Sequence, residues 1–260
     1  MKETPKVLKK QPGTPIGGGN FAIVVLAVLL AALLLYSPIA WNYTTAYRSK
    51  LWLHRCNSLE KLQEQGERFR NVELDLVFRE TTGRFDVTHD LDTTFHLGLR
   101  PYIQHAARRH CRLWLDVKNL TPANAVAALA RLDTLCAECG LKPDSLIVES
   151  RRPELLVPFT RRGYFTSYYV PFDKPSRLAH PESAVAQIRR VAQSGQVRAV
   201  SFPSWWYAFL RGQLPPEIAM LTWLHRSTEP EVRLWPGHFS LLADPQVKVV
   251  LIKSKGKYHR

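Results

Sequence analysis

Residues 71–78 read Asn-Val-Glu-Leu-Asp-Leu-Val-Phe. Val72, Leu74 and Leu76 alternate with Glu73 and Asp75, and successive side chains of a strand face opposite ways. One face of this strand is therefore aliphatic and the other carries two carboxylates. Seven further short apolar runs have the same scale: Leu51 to His54, Cys111 to Val117, Ser145 to Glu149, Tyr164 to Val170, Val197 to Phe202, Ile218 to Leu224 and Val247 to Lys253. Helical segments separate them, with Asn57 as a cap three residues before Glu60, Thr121-Pro122 opening a second helix and Pro181-Glu182 a third that ends near Gly195. Eight strands with helical connections in about 210 residues predict an α/β chain folded as a parallel (β/α)8 TIM barrel. A doubly wound sheet would carry a glycine-rich loop after its first strand. The chain has its only glycine cluster at Gly17-Gly18-Gly19, ahead of all eight runs.

In a barrel the aliphatic face of residues 72–76 lies under the helices, which turns Glu73 and Asp75 inward. Buried unpaired charges are costly, so a metal ion or a cationic partner is implied. The third strand ends Asp116-Val117-Lys118, again with two charged groups on one face. Neighbouring strands are about 4.8 Å apart, which lets Glu73, Asp75 and Asp116 converge on one divalent cation. Three hard oxygen donors suit Mg2+ or Ca2+ better than Zn2+. Two histidines stand at strand ends or the adjoining loops, in His54-Arg55-Cys56-Asn57 and Val87-Thr88-His89-Asp90. Taken singly, an acidic pair on a strand is an ordinary solvated face and a lone histidine an ordinary surface or core residue. Taken in barrel order, they form a candidate site.

His54-Arg55, Glu73-Leu74-Asp75, His89-Asp90 and Asp116-Val117-Lys118 together resemble the signature of the glycerophosphodiester phosphodiesterase superfamily, which includes the sphingomyelinase D enzymes. The likeness is strongest from Leu51 to Lys118, and Leu221-Thr222-Trp223 is similar to the tryptophan-bearing seventh strand of those barrels. His-x-x-Asn at 54–57 and Asp-x-Lys at 116–118 look closer to sphingomyelinase D and the related menorin family. The resemblance implies Glu73, Asp75 and Asp116 as metal ligands and His54 and His89 as a catalytic acid/base pair. It also implies Arg55, Lys118, Asn57 and Trp223 as substrate contacts. The implied activity is metal-dependent cleavage of a glycerophosphodiester or phospholipid-type substrate. An inactive barrel that binds lipid headgroups or a partner protein is the alternative. Tyr168, Tyr169, Trp205, Trp206 and Tyr207 fall at strand ends or just beyond, where they could line a substrate pocket or pack against helices.

From Phe21 to Tyr36 run sixteen apolar or aromatic residues, and the uncharged stretch reaches 21 at Trp41. About 20 residues span the ~30 Å hydrocarbon core of a bilayer. Lys2, Lys6, Lys9 and Lys10 precede the run, which predicts a cytoplasmic N-terminus and a periplasmic or extracellular domain. A cleaved signal peptide is the competing reading, but the run is long and Pro38-Ile39-Ala40 makes a poor cleavage site. The expected organisation is a flexible basic tail (1–20), a transmembrane anchor (21–41), a linker (42–50) and the barrel (51–260).

The formal charge is +14, from 36 Lys and Arg against 22 Asp and Glu. Six of the bases and one acid, Glu3, lie in the first 50 residues, leaving 30 against 21, or +9, on the remainder. These bases are scattered as pairs such as Arg108-Arg109 and Arg189-Arg190, with no zinc-finger or RNP-type motif, so no nucleic-acid partner is expected. An anionic substrate or membrane surface accounts for them. Cys136 and Cys139 continue an apolar stripe with Leu129 and Leu132, so core packing is the reading for the CxxC, ahead of a disulfide or redox motif.

Overall fold

The computed structural model describes residues 21–33, 47–234 and 236–254, and the chain divides into two units, Met1–Asn42 and Tyr43–Arg260. In the first unit, α1 (residues 21–33) is a helix exposed along its whole length. Among the described residues no helix is long and apolar enough to cross a membrane. α1 covers the first 13 residues of the expected anchor, while residues 34–41 and the tail 1–20 lie outside the described residues.

The second unit contains β1 (Leu51–Leu53), β2 (Val72–Arg79), β3 (Arg84–Val87), β4 (Leu113–Val117), β5 (Leu146–Ser150), β6 (Phe165–Tyr169), β7 (Ala199–Pro203), β8 (Ala219–Thr228) and β9 (Val247–Lys253). Eight of them pair in parallel in the order β1-β2-β4-β5-β6-β7-β8-β9. The ring closes where Leu51, Trp52 and Leu53 of β1 pair with Val250, Leu251 and Ile252 of β9. All eight expected strands are present; the largest boundary change is at β8, which runs on to Thr228 instead of ending at Leu224. β3 is an addition, because the segment up to Val87 was expected to be loop. It returns antiparallel along the upper half of β2, with Arg79 opposite Arg84 and Leu76 opposite Val87. Gly83, at φ +62°, makes the tight turn, and the Arg79 guanidinium holds Asp86 at 3.1 Å.

Helices α2 (Leu59–Gln65), α3 (Arg100–Arg109), α4 (Ala125–Cys139), α5 (Pro153–Arg161), α6 (Pro181–Gln193), α7 (Tyr207–Leu210), α8 (Glu229–Leu234) and α9 (Phe239–Ala243) complete the unit. The alternation of the strands produces two cores. Val72, Leu74 and Leu76 belong to the outer one, with Tyr102 and Ile103 of α3, Leu132 of α4 and Phe159 of α5. Each fully buried leucine there contributes roughly 1.5–3 kcal/mol relative to exposure. The barrel interior is a separate cluster of Trp52, Trp114, Ile147, Ala199, Ala219, Leu221, Trp223, Val249 and Leu251. Three tryptophans, two alanines and four aliphatic side chains share the lumen, so it is packed and not a pore.

Two helix starts differ from expectation. Ser58 caps α2, its Oγ accepting the Lys61 N–H at 3.1 Å, one residue beyond the expected Asn57. α4 begins after a turn in which the Thr121 N–H donates to Asn124 Oδ1 (2.9 Å) and the Asn124 N–H to Thr121 Oγ1 (3.3 Å). The four cysteines are free thiols; Cys136 is buried in the outer core and Cys139 half-buried beside it. Within the expected linker, Arg48–Lys50 form a 3-10 turn, and the Lys50 ammonium donates to the carbonyls of Leu242 (2.8 Å) and Asp244 (2.7 Å).

Candidate active site

The inward positions nearest the carboxyl ends of the strands are acidic. Asp75 of β2 pairs in register with Asp116 of β4, and Asp116 with Glu149 of β5. Glu73 lies one inward step below Asp75. One carboxylate oxygen from each of Glu73, Asp75 and Asp116 lies within 4.8 Å of the others. The three expected metal ligands are therefore assembled at the end of the barrel where catalytic groups of this architecture sit.

The turn after β1 holds the cluster in place. Arg55 adopts φ +53°, which turns its N–H onto Glu73 Oε2 at 2.6 Å. The Asn57 amide donates to Asp75 Oδ2 (2.7 Å) and accepts the Asp75 N–H (2.9 Å). Asn57 was expected to meet substrate; both ends of its amide are instead taken by Asp75, which makes it a positioning residue. The Lys61 ammonium donates to the carbonyls of His54 (3.0 Å) and Arg55 (2.7 Å), fixing the turn from below. Lys118 bridges two of these acids, 2.6 Å from Asp75 and in direct contact with Asp116. It was expected to contact a phosphate and here neutralises carboxylates. The Arg55 guanidinium lies 3.8 Å from Asp75 and is half-exposed, free to reach a ligand above the cluster.

His54 is half-buried at the edge of this set, with Nε2 3.8 Å from Glu73 Oε2 and a buried Nδ1 without a partner among the described residues. Burial, reinforced by Arg55, lowers its pKa to about 3, so the ring is neutral at physiological pH. His89 is exposed, two residues beyond β3, with Nδ1 2.7 Å from Asp90 Oδ1. Because β3 runs back from Arg79 toward Leu76, the chain after Val87 continues toward the level of Asp75.

The electrostatics are those of excess negative charge in a closed space. Burial raises the Glu73 carboxyl well above its ordinary value, with Asp75 and Asp116 adding to the effect. Burial would also raise Asp75, but Lys118, Asn57 and Arg55 outweigh it and hold the group below its ordinary value. Asp116 is raised by burial, only partly offset by Lys118. For Lys118 burial opposes the charge, yet Asp116, Asp75 and Glu73 prevail and keep the ammonium protonated. Three oxygen donors and more charge than Lys118 balances fit a hard divalent cation held by Glu73, Asp75 and Asp116.

Several site residues were not singled out from the sequence. Glu149 is a fourth acid at the cluster and is buried; its Oε2 has no partner among the described residues, and burial and Asp116 push it well up. Its signal was present, as an inward position at the end of Leu-Ile-Val-Glu. Beside the cluster a cavity of about 320 Å3 is lined by Tyr169, Trp205, Trp223, His225 and Arg151, among others. Trp223 stacks on Tyr169 at 5.3 Å, the Arg151 guanidinium lies 4.7 Å from the Tyr169 ring centroid and the Lys174 ammonium 4.8 Å from that of Trp205. Of the five aromatics noted in sequence, Tyr169 and Trp205 line this cavity, whereas Tyr168, Trp206 and Tyr207 pack into the outer core.

The fold is similar to that of a glycerophosphodiester phosphodiesterase from Parabacteroides distasonis, with a TM-score of 0.55 at 14% identity over 78% of this chain and 91% of that one. It is also similar to an Oleispira antarctica phosphodiesterase in complex with the product sn-glycerol-3-phosphate, with a TM-score of 0.52 at 11% identity over 78% and 92% of the two chains. At these identities the likeness is one of fold. No protein-family model matches the chain, and no curated protein does.

Proposed function

We propose that the chain is a metal-dependent phosphodiesterase of the glycerophosphodiester type, acting on glycerophosphodiesters or phospholipid-like diesters. The observation that carries this reading is the convergence of Glu73, Asp75 and Asp116 at the open end of the barrel, with His54 against them. Similar barrels that act on such diesters support it. When bound, Mg2+ or Ca2+ supplies a positive centre for a non-bridging phosphoryl oxygen. Arg55, half-exposed above Asp75, offsets charge that develops on the phosphoryl group. Lys118 joins it once its hold on Asp75 and Asp116 is relieved.

His54, which burial holds neutral, accepts the proton of the attacking hydroxyl at Nε2, the ring nitrogen on the Glu73 side. That hydroxyl belongs to water or to a neighbouring alcohol of the substrate. His89, oriented by Asp90, protonates the leaving oxygen. If a cyclic phosphate forms and is then opened, the two exchange roles. Trp223 and Tyr169 provide a flat apolar wall for the substrate's organic portion. H54N and H89N are each expected to lower turnover of a glycerophosphodiester by about 10²–10⁴-fold with far-UV circular dichroism unchanged. Full activity in either variant would remove the acid/base pair from the mechanism.

We further propose that residues 21–41 anchor the protein, with the N-terminus cytoplasmic and the barrel periplasmic or extracellular. The uncharged run of 21 residues and the four lysines before it support this. Protease added outside an intact cytoplasmic membrane should digest the barrel; protection that is lost only when that membrane is permeabilised would contradict the placement. A second reading, an inactive barrel that binds headgroups, is favoured by one observation: Lys118 already neutralises Asp75 and Asp116 without a cation. Metal-dependent turnover that a chelator abolishes separates the two.

A further inference from the structure

At the opposite, N-terminal end of the barrel lies a larger cavity of about 800 Å3, between the turn before β1, the α2–β2 loop and the segment joining α3 to β4. Five arginines line it: Arg48, Arg68, Arg70, Arg109 and Arg112. Two are neutralised, Arg68 by Glu229 at 2.6 Å and Arg109 by Glu67 at 3.0 Å. Arg48, Arg70 and Arg112 have no carboxylate partner among the described residues. Arg70 donates to the His110 carbonyl (3.1 Å) and Arg112 to the Asp144 carbonyl (3.1 Å). Arg112 is also held 5.9 Å from the Trp52 ring centroid and 5.6 Å from that of Phe165, so its guanidinium is fixed where it stands.

Among the described residues Glu67 and Glu229 are the only acids on the wall, which leaves a surplus of three positive charges there with histidines neutral. His105, also on the wall, is pushed below its ordinary value by burial, then by Arg109 and Arg108, which marks the local potential as positive. Beyond the wall, Asp144 is the acid whose charge acts on Arg112. Outside the described residues the only acidic side chain is Glu3, and it is accompanied by Lys2, Lys6, Lys9 and Lys10. A concave wall of guanidiniums, each presenting a fork of N–H donors, matches the oxygens of a phosphate group in both charge and geometry.

We propose that this cavity is a binding site for a phosphomonoester-type dianion, separate from the chemistry at the other end of the barrel. The ligand is either a free phosphate compound or the headgroup of an anionic lipid, and both present the same group to Arg48, Arg70 and Arg112.

The test is calorimetric titration of the full chain in neutral detergent, with chelator present, using inorganic phosphate and short-chain dihexanoyl phosphatidic acid as probes. Saturable binding is expected, and R48Q/R70Q should weaken it by about tenfold or more, as loss of two charge-assisted contacts does. R189Q/R190Q, which removes the same charge from the exposed face of α6, should leave it unchanged. Tighter binding of phosphatidic acid than of phosphate identifies a lipid headgroup; equal affinities identify the phosphate group alone. Absence of saturable binding, or an equal loss in both double variants, overturns the proposal. Arg48 and Arg70 are exposed, and an unchanged melting temperature in R48Q/R70Q confirms that the fold survives.

Discussion

Glu149 offers a quantitative test of the site's electrostatics. Its carboxyl is buried in the barrel interior beside Asp116, with Oε2 unpartnered among the described residues, and its pKa is raised well above the ordinary 4.5. A folded-state pKa above the unfolded one means that the native chain binds the proton more tightly. The stability this gives is present below about pH 4.5 and is lost as pH rises, because the unfolded chain then ionises while the folded one does not. Over each pH unit in which the folded chain keeps the Glu149 proton and the unfolded chain ionises, folding loses on the order of 1 kcal/mol. E149Q has nearly the same shape, keeps a group able to bond Ser201, and needs no proton. In chelator its advantage over the wild type should be smallest near pH 4.5 and grow as pH rises, by on the order of 1 kcal/mol per pH unit while Glu149 stays protonated. Urea unfolding followed by tryptophan fluorescence at pH 5, 6 and 7 measures the difference, and Glu73 and Asp116, present in both chains, largely cancel. A difference that does not change with pH would refute the reasoning, as would one that moves in favour of the wild type.

N57A removes both hydrogen bonds that orient Asp75. It should destabilise the fold by roughly 1–3 kcal/mol and weaken Mn2+ or Ca2+ binding by about 10–100-fold, read by unfolding and by calorimetry. L74A, at a fully buried outer-core position, should cost about 2–5 kcal/mol in the same unfolding assay without altering metal affinity. Burial pushes the thiols of Cys56 and Cys136 up to about 12 and about 11 and raises that of Cys111. Iodoacetamide at pH 8 should therefore label half-buried Cys139 in the native chain and the other three only after unfolding, as peptide mass mapping will show.

The barrel was legible because its signals are local. Alternation at Val72-Glu73-Leu74-Asp75 states both that a strand is present and which face is buried, and seven similar runs set the strand number. The acids at 73, 75 and 116 followed from the same period. What escaped depends on contacts distant in sequence. β3 was missed although Gly83 marks its turn, since Arg84 to Val87 is short and becomes a strand only by pairing with β2. Asn57 looked like a helix cap or a substrate contact because its partner, Asp75, is 18 residues away. Glu149 occupied a legible inward position, yet its unpartnered state depends on the packing of β4, β5 and β7 around it. The basic cavity brings together Arg48, Arg70 and Arg112 from three separate segments, and in sequence they are indistinguishable from other scattered bases.

The central claim is that Glu73, Asp75 and Asp116 hold a divalent cation that enables diester cleavage. It is tested most directly by hydrolysis of a glycerophosphodiester by the full chain, titrated with Mg2+ or Ca2+ after chelation, in the wild type and in D75N. Activity is expected to be absent in chelator, to return saturably with the ion and to stay absent in D75N at the same ion concentration. Turnover that persists in chelator, or that D75N retains in full, would contradict it.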